Sequence, residues 1–241
     1  MVFGLFSKER NIKKTIEKAT QKTGQSMDRM AAMEKLRDIG TDECLYALCK
    51  RFSFACDKSI EDQQEKDWTV AVLVNKGNEM LPALQRYMKN ADSLGYPLVV
   101  VKKLWKGEKM WSIVDAILAE EEPGYVRNPK KRIDVIEWMG ELDEPTEEIV
   151  KRVIPYIGDF DENVKFKSIE VASRHPHPSL GAPLLEALTD DEEESKRLRM
   201  KMADVLVEQK LPLGDYKEKL QQLLSEQLHE YKIAGDQLTK A

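Results

Sequence analysis

The chain has 241 residues, 41% of them hydrophobic and 34% charged, and its formal net charge is −5. This composition supplies enough apolar surface for a core and enough charge for a soluble exterior, and it excludes a low-complexity or disordered chain. Nucleic-acid-binding domains usually carry a basic excess or a basic stripe, so we expect no nucleic-acid partner.

The N-terminal segment begins with apolar residues and then becomes basic. It is too short for the core of a signal peptide, and Val2 stands where a myristoylation signal requires glycine. We expect residues 1–25 to form an N-terminal cap that packs on the first helices that follow. The alternative is weak contact with an anionic membrane surface through Phe3, Leu5 and Phe6.

Three segments, 30–40, 68–77 and 98–107, end in glycine and show the apolar spacing of helices. The second and third are apolar on almost every side, which predicts that they are buried or bind something. The simplest explanation is that residues 1–25 cover them. An open apolar groove for a partner helix is the other interpretation.

The chain has three cysteines, Cys44, Cys49 and Cys56. An odd number of cysteines without a signal peptide indicates free thiols in a reducing compartment, so we expect a cytoplasmic protein. A zinc site needs a fourth ligand, and no histidine follows at a suitable spacing, so we expect no metal and no cofactor. Cys44 and Cys49 are better explained as small core residues of a helix.

An insertion over residues 52–60 lengthens one turn and carries two phenylalanines. Long turns of solenoid proteins often lie on a binding face. We therefore predict a partner contact at Phe52 and Phe54.

One helix recurs three times in the second half of the chain. The segments 132–139, 165–172 and 199–206 show the same order of basic, apolar and acidic residues, with apolar positions three and four apart. Two further apolar segments, 149–157 and 183–188, precede the second and third of these helices. Short acidic turns join each pair, and aspartate there is suited to cap the following helix.

The stretch 154–172 resembles the HEAT repeat and its short bacterial relatives. That family's pattern has a proline in the first helix, an aspartate-containing turn, and then valine followed by a basic residue. The matching residues here are Pro155, Asp159, Asp161, Val164, Lys165 and Ala172. The resemblance implies an all-α fold, an α-solenoid of about six antiparallel helix pairs, in a single array over residues 1–241. We expect repeats over 26–209, then a capping helix and tail over 210–241, with the helix at about 216–233.

In HEAT arrays the second helix of each pair lines the concave face, so the resemblance implies a binding surface there. Its non-apolar positions form three rows, each with one member from each recurring helix. The first row is Arg132, Lys165 and Arg199; the second is Asp134, Lys167 and Lys201; the third is Glu137, Glu170 and Asp204. In HEAT-like units the basic residue of the first row often bonds an aspartate of a neighbouring turn, here Asp159 or Asp161, and for that row this structural role is favoured over the alternative of partner binding.

No set of residues in the sequence forms a catalytic constellation. The prolines of the 175–178 stretch indicate a loop rather than a histidine metal clip. HEAT-like glycosylases that remove alkylated bases are an alternative, but Trp138 occupies an apolar repeat position that predicts a core residue. We therefore expect a monomeric, non-enzymatic scaffold that binds another protein. The remaining alternative is a peripheral membrane adaptor held by the N-terminus.

Overall fold

A computed structural model of the chain describes the backbone of residues 2–241 and the side chains of residues 9–241. The regular secondary structure of this part of the chain is helical, as expected, apart from one two-stranded sheet. It divides into two compact units, Met1–Glu120 and Glu121–Ala241. None of the described helices is long and apolar enough to cross a membrane.

The first unit is built from seven α-helices. They are α1 (Val2–Ala19), α2 (Ser26–Ile39), α3 (Asp42–Cys49), α4 (Ser59–Lys76), α5 (Leu81–Asn90), α6 (Gly95–Leu104) and α7 (Gly107–Leu118), with short 3₁₀ turns at Lys50–Ser53 and Gly77–Met80. Gly40 ends α2 and Gly77 ends α4, with φ of +65° and +60°. Glycine adopts a positive φ without steric cost, so it allows the backbone to leave the helix at both positions.

Alternate helices of the first unit pack side by side. The helices α1, α3 and α5 contact one another in sequence, as do α2, α4 and α6. The N-terminal helix packs on α2 and α3, and not chiefly on the apolar helices α4 and α6 that we expected residues 1–25 to cover. Cys44 and Cys49 are buried on α3, as predicted, and burial raises the pKa of the Cys49 thiol to about 12.

The second unit contains six α-helices. They are α8 (Lys130–Met139), α9 (Thr146–Val153), α10 (Glu162–Arg174), α11 (Gly181–Leu188), α12 (Lys196–Glu208) and α13 (Lys217–Glu226), with 3₁₀ turns at Ile154–Tyr156, Pro178–Leu180 and Gly214–Tyr216. Asp161 caps α10, accepting from the backbone N–H groups of Asn163 and Val164. At α12 the cap is Ser195 instead of an aspartate, because the turn before that helix is longer.

The three recurring helices of the sequence are α8, α10 and α12, and they lie side by side. The helices α9 and α11 pack behind α10 and α12. A continuous apolar core joins α9 to α13, including Ile169, Leu184, Met202 and Leu224. The predicted recurrence of one helix is therefore confirmed, as is the buried position of Trp138.

The C-terminal end differs from the expected long capping helix. The helix α13 ends at Glu226, and a hairpin follows, formed by the antiparallel strands β1 (Tyr231–Ala234) and β2 (Gln237–Lys240). Gly235 opens the two-residue loop with φ +65°, which such hairpin loops require. Tyr231 and Leu238 are buried, and β2 packs on α12, so a hairpin covers the end of the core.

Candidate binding face

A close contact between helices fixes the spacing of α8 and α10. A Cβ atom built on Gly140 would lie 2.7 Å from Val171 Cγ2 and 2.9 Å from Arg174 Nη2. Gly140 has a helical φ of −65°, so glycine is needed here for close approach and not for an unusual backbone. Absence of a side chain therefore brings the two helices, and the residues they display, into contact.

Arg132, in the first of the three rows, is built into the interior and is 3% exposed. Its Nη1 donates a 2.6 Å hydrogen bond to Oδ2 of Asp159, itself 1% exposed. The same guanidinium donates to the backbone carbonyl oxygens of Glu121, Glu122 and Gly124. The bond to an aspartate of the neighbouring turn is the structural role that the sequence favoured for the first row.

A similar contact is made from each of the other two recurring helices, α10 and α12. Lys165 Nζ donates to Glu193 Oε2 over 2.7 Å, and Arg199 Nη1 donates to Gln227 Oε1 over 2.7 Å. Both acceptors lie 28 residues further along the chain, compared with 27 for the acceptor of Arg132. Each member of the first row thus holds a segment that lies 27 or 28 residues further along the chain.

Three predicted binding residues are therefore corrected. Arg132 and Arg199 are buried, because their guanidinium groups hold turns of the fold together. Asp134 is 8% exposed and accepts a hydrogen bond from Lys130 over 2.5 Å. Lys165 is partly exposed but is engaged with Glu193.

The accessible members of the second and third rows form one surface, which we call the second-helix face. It consists of Glu137, Lys167, Glu170, Lys201 and Asp204. Lys167 Nζ bridges two helices, lying 3.0 Å from Glu137 Oε1 on α8 and 2.8 Å from Glu170 Oε2 on its own helix. Members of the second and third rows on α8 and α10 therefore lie in contact with one another.

Charges alternate in sign across this face. Contact with Glu170, and then with Glu137, raises the pKa of Lys167, and contact with Lys167 lowers the pKa of Glu170. Lys201 on α12 lowers the pKa values of both Glu170 and Asp204 through its charge. Acidic and basic groups therefore follow one another from α8 through α10 to α12.

The C-terminal hairpin extends this alternation by one more charge. Asp204 Oδ1 accepts hydrogen bonds from Tyr231 Oη over 2.8 Å and from Lys240 Nζ. Burial alone would raise the pKa of Asp204, but these two donors lower it. The sequence missed this partner because the hairpin was predicted as helix and tail.

The two phenylalanines predicted to contact a partner have partners within the first unit. Phe52 stacks on Tyr96, with ring centroids 5.3 Å apart and planes 4° apart, and meets the edge of Tyr87. The Arg51 guanidinium lies 4.5 Å from the centroid of Phe54. Both rings are only partly exposed, so packing accounts for them. The predicted membrane contacts Phe3, Leu5 and Phe6 lie outside the residues whose side chains are described.

A buried group of charges in the first unit escaped the sequence analysis. Glu65 accepts hydrogen bonds from Arg29 (2.7 and 2.8 Å) and from Arg51 (2.6 Å), and Asp62 accepts from Arg51 (2.6 Å) and Lys66 (2.7 Å). The carboxylates lie three residues apart on α4, a spacing that places them on one helix face. That spacing was the signal in the sequence that could have predicted the buried charges. The sequence-based interpretation of this helix considered only the apolar residues that follow the two carboxylates.

Comparison of the chain with family models, with curated proteins and with solved structures gives no match. Among the described side chains, no group of three or more His, Cys, Asp and Glu residues is placed to hold a metal ion.

Proposed function

We propose that this chain is a HEAT-like α-solenoid that acts as a non-enzymatic scaffold, binding a partner protein on its second-helix face. Support for the repeat architecture comes from the contact of Arg132, Lys165 and Arg199 with acceptors 27 or 28 residues ahead. Repeat proteins of this kind are stabilised by contacts between neighbouring repeats, which is what these three residues provide. In the proposal the second-helix face is concave.

The observation that carries the proposal is the alternation of charge along the second-helix face. Ion pairs between exposed side chains add only about 0–1 kcal/mol each to stability, so folding alone is a weak reason for them. Charges fixed in a defined order instead favour one partner and one register over others. A charged helix or extended peptide of complementary spacing would exchange these pairs for its own.

The test is capture of a partner with a face variant and a matched control. The face variant is Glu137→Lys with Glu170→Lys, which makes both ends of the Lys167 bridge repulsive. The control, Glu147→Lys with Glu218→Lys, makes the same change of net charge at exposed positions of α9 and α13. Asp204 is left unchanged because it also holds the C-terminal hairpin.

We expect wild type and control to retain the same protein and the face variant to lose it, with circular dichroism showing equal helix content in all three. A photoreactive residue placed at Lys201 should then cross-link that protein, while one placed at Glu147 should not. Retention by the face variant, or cross-linking only from Glu147, would contradict binding at this face.

A further inference from the structure

Two aromatic rings of the second unit stand largely in solvent. Tyr125 is 78% exposed and Phe160 is 70% exposed. They meet edge to face, with ring centroids 5.4 Å apart and planes 88° apart. Single exposed apolar residues are common on protein surfaces, but two large rings in contact with each other form a patch that calls for a partner.

The pair is held in place by the interior of the unit. Tyr125 follows Gly124, whose carbonyl accepts from Arg132 Nη1 over 2.9 Å, and Phe160 follows Asp159, which accepts from the same nitrogen over 2.6 Å. One buried guanidinium therefore fixes both turns that carry the rings. A surface fixed before binding loses little conformational entropy on binding, which favours affinity.

The two turns are acidic. The residues before Tyr125 include the exposed Glu122, and those after Phe160 include Asp161 and the exposed Glu162. On the turn that carries Tyr125, the exposed cation is Arg127, two residues after Tyr125.

A cleft lies between the turn that carries Phe160 and the turn before α12, which Ser195 Oγ joins to the first by donating to Glu162 Oε1 over 2.8 Å. The cleft has a volume of about 740 Å³ and is lined by Gly158 of the Phe160 turn and by the exposed Asp190 and Asp191, along with the lysines Lys165 and Lys219. Lys165 is engaged with Glu193. In the same turn Asp190 Oδ1 accepts from the backbone N–H of Glu192, and the side chains of Asp190 and Asp191 are both exposed beside the cleft.

We propose that this surface, which we call the turn-edge surface (Tyr125, Phe160, Asp161, Asp190 and Asp191), binds an extended basic segment of a partner protein. An arginine or lysine of that segment lies on the Tyr125–Phe160 pair, because the face of an aromatic ring attracts a cation. Further basic residues follow the acidic turns into the cleft. The acidic surroundings disfavour the other common occupants of exposed aromatic rings, which are nucleic acids and anionic membranes.

The test measures binding of a fluorescein-labelled 12-residue peptide in which arginine alternates with serine, by fluorescence anisotropy. We expect the wild type to bind it, and Tyr125→Ala with Phe160→Ala to weaken binding about tenfold, the equivalent of losing two cation–π contacts. The control is Ile60→Ala, which removes an isolated exposed apolar side chain of the first unit. A peptide with glutamine in place of arginine should bind neither the wild type nor the double alanine variant.

Two results would overturn the proposal. One is equal affinity of wild type and the double alanine variant for the arginine peptide, since that would show attraction by net charge alone. The other is loss of arginine-peptide binding in the Glu137→Lys, Glu170→Lys face variant with retention in the double alanine variant. The face variant should otherwise bind the peptide like wild type, so failure of this surface and failure of the second-helix face are distinguishable.

Discussion

At the scale of single residues, Glu65 shows how this fold accommodates buried charge. Burial alone would raise the pKa of Glu65, but hydrogen bonds from Arg29, Ser26 and Arg51 outweigh it and hold the pKa below its usual value. Asp62 behaves alike: burial opposes ionisation, while Lys66 and Arg51 lower its pKa. A buried carboxylate stays ionised only with such partners, and its contribution to stability then depends on pH.

Acid should therefore weaken the protein through Asp62 and Glu65. Their folded pKa values lie below the unfolded values of about 3.9 and 4.3, so their contribution is complete above those values and is lost as pH falls through the folded ones. We expect the free energy of unfolding in urea to fall below about pH 4, by up to about 1.4 kcal/mol per pH unit for each carboxylate.

The variant Asp62→Asn with Glu65→Gln isolates this effect. It should be less stable than wild type at pH 7, with a difference that narrows as the pH is lowered to 3. Glu147→Gln, at an exposed position of α9, should follow the wild-type curve. If the free energy of unfolding of the double variant and of wild type changed in parallel with pH, the acid sensitivity would belong to other groups.

At the scale of secondary-structure elements, the contact between α8 and α10 depends on a missing side chain. Replacing glycine by alanine in a helical conformation usually stabilises a protein by about 0.4–1 kcal/mol, by restricting the unfolded chain. At Gly140 the new Cβ would lie 2.7 Å from Val171 Cγ2, so the side chain of Val171 or the two helices must shift. We expect Gly140→Ala to destabilise the protein by about 1–3 kcal/mol in urea unfolding.

The matched control is Gly95→Ala at the start of α6, where no atom lies within 4 Å of the added Cβ. It should leave stability unchanged or raise it slightly. If Gly140→Ala were as stable as Gly95→Ala, the spacing of α8 and α10 would be set by contacts other than this one.

The sequence predicted the elements of this fold better than their surfaces. Helical spacing and a 33–34 residue recurrence were enough to place α8, α10 and α12, because the period of a helix is local. Whether a basic residue on such a helix is buried depends on an acceptor 27 or 28 residues away, and this is why Arg132 and Arg199 were assigned to the surface. The hairpin was missed because Gly235 forms a two-residue loop after only a short run of alternating residues.

At the scale of the whole molecule, the described chain consists of two compact units, each with its own buried charged anchor. In the first unit the anchor is Arg51, 1% exposed, which joins the 3₁₀ turn after α3 to two carboxylates of α4. In the second unit it is Arg132, which joins the turns before α8 and α10. A buried side chain stabilises mainly the elements that it contacts, so loss of one anchor should raise local unfolding in those elements first.

Hydrogen exchange measured by mass spectrometry tests this locality in the full chain. Replacing Arg132 by alanine leaves the buried carboxylate of Asp159 without its cation, a change that costs about 3–5 kcal/mol. Replacing Arg51 removes one of the two cations that hold Glu65 and one of the two that hold Asp62. We expect Arg51→Ala to raise exchange in α2, α3 and α4 while α10 and α12 stay protected, and Arg132→Ala to do the reverse. Lys151→Ala, at an exposed position of α9, should alter neither pattern. If both arginine variants raised exchange equally along the chain, the two units would unfold as one cooperative body, and the boundary between residues 120 and 121 would not separate two independently stable units.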